Sequence, residues 1–125
     1  MSGPCPCGGA DYERCCGPFH RGANAPTAER LMRSRFSAFA LKDTAYLLRT
    51  WHPSTRPRSL RLDPGQTWTH LEVLGHSAGG LLDSEGRVEF IAHGTEHGRP
   101  HRMREHSTFV KDDGAWLYVA ALPRT

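Results

Sequence analysis

Past residue 16 the 125-residue chain contains no cysteine, and lysine occurs only at Lys42 and Lys111. No apolar run approaches the about 18 to 20 residues that span a bilayer, and no N-terminal stretch has the about 7 to 15 apolar residues of a signal peptide. Membrane insertion and secretion are therefore not expected, and a cytoplasmic location is. Neither Gly8-Gly9 nor Gly79-Gly80 is followed by the Lys-Ser/Thr pair that grips phosphates and Mg²⁺, which disfavours nucleotide hydrolysis. The serines lack a paired base at recognisable spacing, and no Ser/His/Asp or Cys/His nucleophile arrangement stands out.

What is present suits one soluble domain with a small appendage, since a chain of this length has no room for two independent cores. The composition is 38% hydrophobic and 23% charged, and three Trp, three Tyr and five Phe are spread from Tyr12 to Tyr118. That aromatic content can seed a compact core, unlike the composition of a disordered chain. The formal net charge is +3, with a locally positive stretch between Arg30 and Arg61 in which Asp43 is the only acid. A nucleic-acid footprint would need a stronger basic stripe interleaved with stacking aromatics, so nucleic acid is not the expected partner.

All four cysteines lie in the run CPCGGADYERCC, as Cys5, Cys7, Cys15 and Cys16. A disulfide framework fits a reducing compartment poorly, and adjacent Cys15 and Cys16 can join each other only through a strained ring. Surface thiols without a role would leave unexplained why four soft ligands gather on a segment too short and polar to fold alone. Zn²⁺ bound by four thiolates explains the cluster better, because a structural zinc supplies about 10 to 16 kcal/mol of apparent binding energy to a segment with no core. Gly8 and Gly9 allow backbone N–H groups close to the sulfurs, and residues 8–14 form the loop that returns Cys15 and Cys16 to the site.

Beyond Arg21, residues 22–26 read as a linker and Thr27 as the N-cap of a helix to about Leu41. Ala28, Met32, Phe36, Phe39 and Ala40 form an apolar stripe along it, with Glu29, Arg30 and Arg33 on the charged face. Asp43 caps a shorter helix to about Arg49, with Tyr46 and Leu47 inward. Residues 54–65 lack a period and read as an exposed connection. Strands follow at about residues 67–77, 87–95, 103–111 and 116–121, separated by turn-rich segments that suit an antiparallel meander. Helices first and sheet after give an α+β fold whose helices cover one sheet face and can leave a conical pocket.

In that pocket Glu105 and Ser107 alternate with Met103 and Phe109 on one face, so the carboxylate calls for a pairing cation, which Arg33 or Arg35 can provide. Two readings stay open. The pair can be a structural tie between helix and sheet, or these residues can form a polar floor for a small anionic or polar ligand, with Trp51 and His52 at the rim. The histidines follow no ligand spacing.

The run CPCGG, followed by Tyr12 and Cys15-Cys16, resembles the SEC-C motif, the zinc knuckle also found at the tail of the SecA translocation ATPase. The stretches Leu31-Met32-Arg33-Ser34-Arg35-Phe36-Ser37-Ala38-Phe39, Thr50-Trp51-His52-Pro53 and Glu105-His106-Ser107-Thr108-Phe109 are similar to the YchJ family of bacterial proteins. The resemblance spans nearly the whole chain. It implies a zinc knuckle over residues 1–21 and an NTF2-like cone over residues 22–125, without implying a particular activity. The expected role is a small-molecule or protein binding and adaptor module; the alternative is an NTF2-like enzyme of isomerase or hydrolase type acting on a small polar or anionic substrate in the cone. A docking knuckle should expose Tyr12, Phe19 and His20, whereas an enzyme should show a closed cavity with Glu105 or His52 pointing in.

Overall fold

The computed structural model describes residues 3–122. Thr27 accepts a hydrogen bond from the Arg30 amide and starts helix α2 (Ala28–Leu41), after the one-turn helix α1 (Gly17–His20). Lys42 ends α2 in the left-handed region, and the Asp43 side chain then caps α3 (Thr44–Arg49) through the Tyr46 amide. The four strands are β1 (Gln66–Ala78), β2 (Glu85–Glu96), β3 (Arg99–Asp112) and β4 (Ala115–Ala121), and they form one curved antiparallel sheet in chain order.

Turn chemistry fixes the register. His97-Gly98 and Asp113-Gly114 each place two consecutive residues at positive φ, as two-residue hairpins require. The first of these turns is tighter than the segment read from sequence, so β3 begins at Arg99 and Pro100 pairs with Thr95 at its start. An irregularity in β1 between Trp68 and His70 presses the Thr67 carbonyl against Gly94, where a Cβ would collide with it. Only glycine fits there.

Val88, Phe90, Ala92, Phe109 and Trp116 from the sheet meet Leu31, Met32 and Phe36 of α2 and Leu47 of α3 in one buried cluster. Cys5, Cys7, Cys16, Tyr12 and Phe19 belong to the same cluster, so the core is continuous between the cysteine loop and the helices. Helix α2 is accordingly buried on more than the expected stripe. Leu31, Ser34, Arg35, Ser37 and Ala38 are buried, whereas Phe39 and Ala40 are only partly so. Small polar residues facing a polar loop carry no hydrophobic signal, and that second contact face was therefore invisible to periodicity. The segment 22–26 is anchored rather than a free linker, since Ala25 is buried and the Pro26 carbonyl accepts from Trp116 Nε1 at 3.2 Å. In the connection 54–65, Leu60 and Leu62 pack on the core.

Candidate metal centre and cavity

The cysteine loop folds by short-range backbone bonds: the Cys5 amide donates to the Gly9 carbonyl and the Gly8 amide to the Cys5 carbonyl. Asp11 caps a 3-10 turn over Tyr12–Arg14, and the Cys15 amide donates to the Tyr12 carbonyl, which swings Cys15 and Cys16 back toward Cys5 and Cys7. The four Sγ atoms all lie within 4.8 Å of one another. Cys7 to Cys15 is 3.4 Å, Cys7 to Cys16 is 3.7 Å and Cys15 to Cys16 is 4.0 Å. These separations are too long for disulfides. They bracket the about 3.8 Å edge of a tetrahedron built with Zn–S bonds of about 2.3 Å.

Gly9 makes room for this arrangement, since a Cβ there would lie 2.6 Å from Cys15 Sγ. Ser37 of α2 lies 3.3 Å from both Cys5 Sγ and Cys16 Sγ, which puts a hydroxyl donor where a thiolate set needs one. Without metal, Cys7, Cys15 and Cys16 hold their protons unequally. The Cys16 thiol donates to Cys7 and, with other donors, holds it down at about 4. Burial pushes Cys15 up to about 11, and Cys16 is raised by its bond to Cys7 and by burial. A lowered Cys7 beside raised Cys15 and Cys16 suits a metal, because a cation would discharge the protons those two hold. The donor set and its spacing fit a metal ion.

Tyr12 and Phe19 are buried, and His20 bridges the loop to the helices, with Tyr12 Oη at 2.6 Å from its Nδ1 and the Ser34 carbonyl at 2.8 Å from its Nε2. Arg30 lies over the Phe19 ring. The exposed docking patch expected of Tyr12, Phe19 and His20 is thus absent; these side chains join the loop to α2 instead.

Under the sheet a cavity of about 300 Å³ opens between α2 and the inner faces of the strands. Its walls are largely apolar: Met32, Phe36 and Phe39 from α2 face Trp68, Phe90, Ala92 and Met103 of the sheet, and Trp51 and Tyr118 close one side. The polar lining consists of Arg35, Glu105 and Ser107. Arg35 is 3% exposed, its Nη1 donates to the Leu47 carbonyl and to Thr50 Oγ1 at 2.8 Å each, and the guanidinium lies 4.5 Å from the Tyr118 ring centre and 5.2 Å from that of Trp51. Desolvation lowers its pKa to about 10, which leaves it a cation at neutral pH. The Tyr118 phenol is raised, first by burial and then by the Glu105 charge, with Arg35 opposing both. The Ser107 hydroxyl, in a residue 1% exposed, has no hydrogen-bond partner among the described residues.

The expected pocket residues therefore divide. Arg35, Trp51, Glu105 and Ser107 line the cavity; Arg33 and His52 do not. Arg33 sits on the other side of α2, where its Nε binds Glu29 at 2.9 Å and its Nη1 reaches the Cys7 carbonyl, so it is not the partner of Glu105. Arg35 makes no ion pair with a carboxylate among the described residues, which removes the other expected tie between α2 and Glu105. His52 contributes its backbone to the Tyr118 carbonyl while its ring turns to Ser54. Sequence reading missed Tyr118 and Trp68, which strand alternation could have placed on the inner face without showing that they meet around a hollow.

An α+β cone over a hollow, with a four-cysteine loop packed on its first long helix, is the fold class the chain presents. Residues 27–121 match the family model described as YchJ, middle NTF2-like domain. The chain belongs to the YchJ family. It is 53% identical over 118 residues to the UPF0225 protein SCO1677 of Streptomyces coelicolor, covering 93% of this chain and 92% of that one, and 49% identical over 123 residues to a UPF0225 protein of Chromobacterium violaceum. Among solved structures, the solution structure of RPA3114, a SEC-C motif containing protein from Rhodopseudomonas palustris, superposes with a TM-score of 0.83 at 35% identity, covering 98% of this chain and 99% of that one. A SEC-C motif containing protein from Psychrobacter arcticus gives a TM-score of 0.77 at 28% identity, covering 98% and 84%. No helix among the described residues is long and apolar enough to cross a membrane.

Proposed function

We propose that this chain is a cytoplasmic small-molecule-binding protein whose N-terminal loop is held by a structural zinc. The observation that carries the ligand reading is Ser107: a buried hydroxyl without a partner among the described residues is costly, and the residue lines a largely apolar hollow large enough for a compact organic molecule. Protein docking through the knuckle loses support because Tyr12 and Phe19 are buried against the helices. Cys5, Cys7, Cys15 and Cys16 would hold Zn²⁺, and four thiolates complete a structural coordination set. The ion would supply folding energy to the loop.

Tryptophan fluorescence tests the ligand reading, since Trp51 and Trp68 both line the cavity. Titration with a panel of small aromatic compounds should give saturable changes with at least one of them; flat titrations throughout would overturn it. Elemental analysis should find close to one zinc per chain, and zinc-free protein with an ordered residue 3–21 segment would overturn the metal reading. The enzyme alternative draws on one feature, the Glu105 carboxylate on the cavity wall, which is a candidate general base. Following each bound compound by NMR for chemical conversion separates that alternative from binding alone.

A further inference from the structure

Building on the cavity reading, we infer that the ligand is an aromatic or similarly compact apolar monocarboxylate, with its carboxylate held by Arg35 and Ser107 and its body against Phe36, Trp68, Phe90 and Met103. Three features converge on this class. Arg35 is a cation buried at the cavity wall, and among the described residues its hydrogen bonds are made by Nη1, so Nε and Nη2 keep donor capacity. Ser107 adds a hydroxyl that has no partner among the described residues. A carboxylate is the compact group whose two oxygens take several donors at once, and a guanidinium grips it through paired N–H groups. The donors are also fixed before any ligand arrives: Arg35 is clamped by Leu47, Thr50 and two aromatic rings, and Ser107 stands within β3.

Glu105 lies two residues from Ser107 on the same strand and lines the same hollow, and Arg35 balances one ligand carboxylate. The aromatic walls set the rest, because they offer no partner for a polar body. The site therefore suits one carboxylate at one end of an apolar molecule.

The test compares 3-phenylpropionate with its amide, its amine analogue 3-phenylpropylamine, the dianion phenylsuccinate, and uncharged propylbenzene, by NMR titration of the intact zinc-loaded protein. The monocarboxylate should bind at least tenfold tighter than the amide, the amine and the dianion, with shifts at Arg35 and Ser107. Ser107→Ala should reduce that preference by threefold or more while leaving propylbenzene binding unchanged. Arg35→Gln should abolish it. Because Arg35→Gln can also weaken the fold, the Ser107→Ala result alone suffices to decide. Equal binding of acid and amide, or tighter binding of the amine, overturns the carboxylate assignment. If propylbenzene still shifts the cavity residues in that case, the cavity reading stands without it; if no compound shifts them, both fail.

Discussion

Two serines, one at each end of the molecule's polar interior, are nearly equally inaccessible and sit in opposite situations. Ser37, beside the cysteine loop, is in contact with two sulfurs; Ser107, in the cavity, has no partner among the described residues. The same contrast extends to their surroundings. At the loop, Tyr12, His20, Ser34 and Tyr46 form a chain of hydrogen bonds with each member engaged, while at the cavity Arg35 commits one of its three nitrogens to partners among the described residues. Native interiors leave very few polar atoms unmatched, which sets the matched loop apart from the cavity, where the proposed ligand would take up the remaining donors. Helix α2 carries both, because its residues face the sulfurs at Ser37 and the hollow at Arg35.

The sharpest way to break this comparison is to remove the loop's metal ligand. Cys16→Ser should cost the bound metal and order in residues 3–21. It should lower the melting temperature by more than about 10 °C, given the about 10 to 16 kcal/mol that a structural zinc contributes. A calorimetric scan with parallel metal analysis reads both. Next in size, Ser37→Ala removes the hydroxyl donor to the sulfurs and should weaken metal affinity by about 10- to 100-fold, measured by chelator competition. Tyr46→Phe deletes the 2.7 Å bond to Ser34 but leaves Ser34 its bond to the Leu31 carbonyl, so urea titration should show a loss of about 1 kcal/mol. The smallest effect is expected at Ser107→Ala, where no hydrogen bond among the described residues is lost and a buried polar atom disappears; ligand-free stability should stay level or rise by up to about 1 kcal/mol. If Ser107→Ala destabilised the free protein as much as Ser37→Ala, the two ends would not differ in kind.

Much of this architecture is written in local chemistry. Thr27 and Asp43 announce helix starts, the His97-Gly98 and Asp113-Gly114 pairs announce hairpins, and four clustered cysteines announce a metal loop. The site was less legible because it depends on direction. Arg33 and Arg35 look interchangeable in sequence, yet residues two apart on a helix point about 200° apart, which sends Arg33 to the Cys7 carbonyl and Arg35 to the cavity. Trp51 and His52 diverge for a similar reason, as neighbours in an extended segment face opposite ways. Tyr118 and Trp68 line the cavity, and their convergence around a hollow arises from sheet curvature and bulges that no single-strand pattern encodes.

The division of labour between loop and cavity is tested most directly by amide NMR of the zinc-loaded protein as propylbenzene is added to saturation. The account predicts shifts confined to cavity residues such as Met32, Trp51, Trp68, Met103 and Ser107, with the amides of residues 5–17 unmoved. Shifts centred on the cysteine loop, with the cavity residues silent, would contradict it.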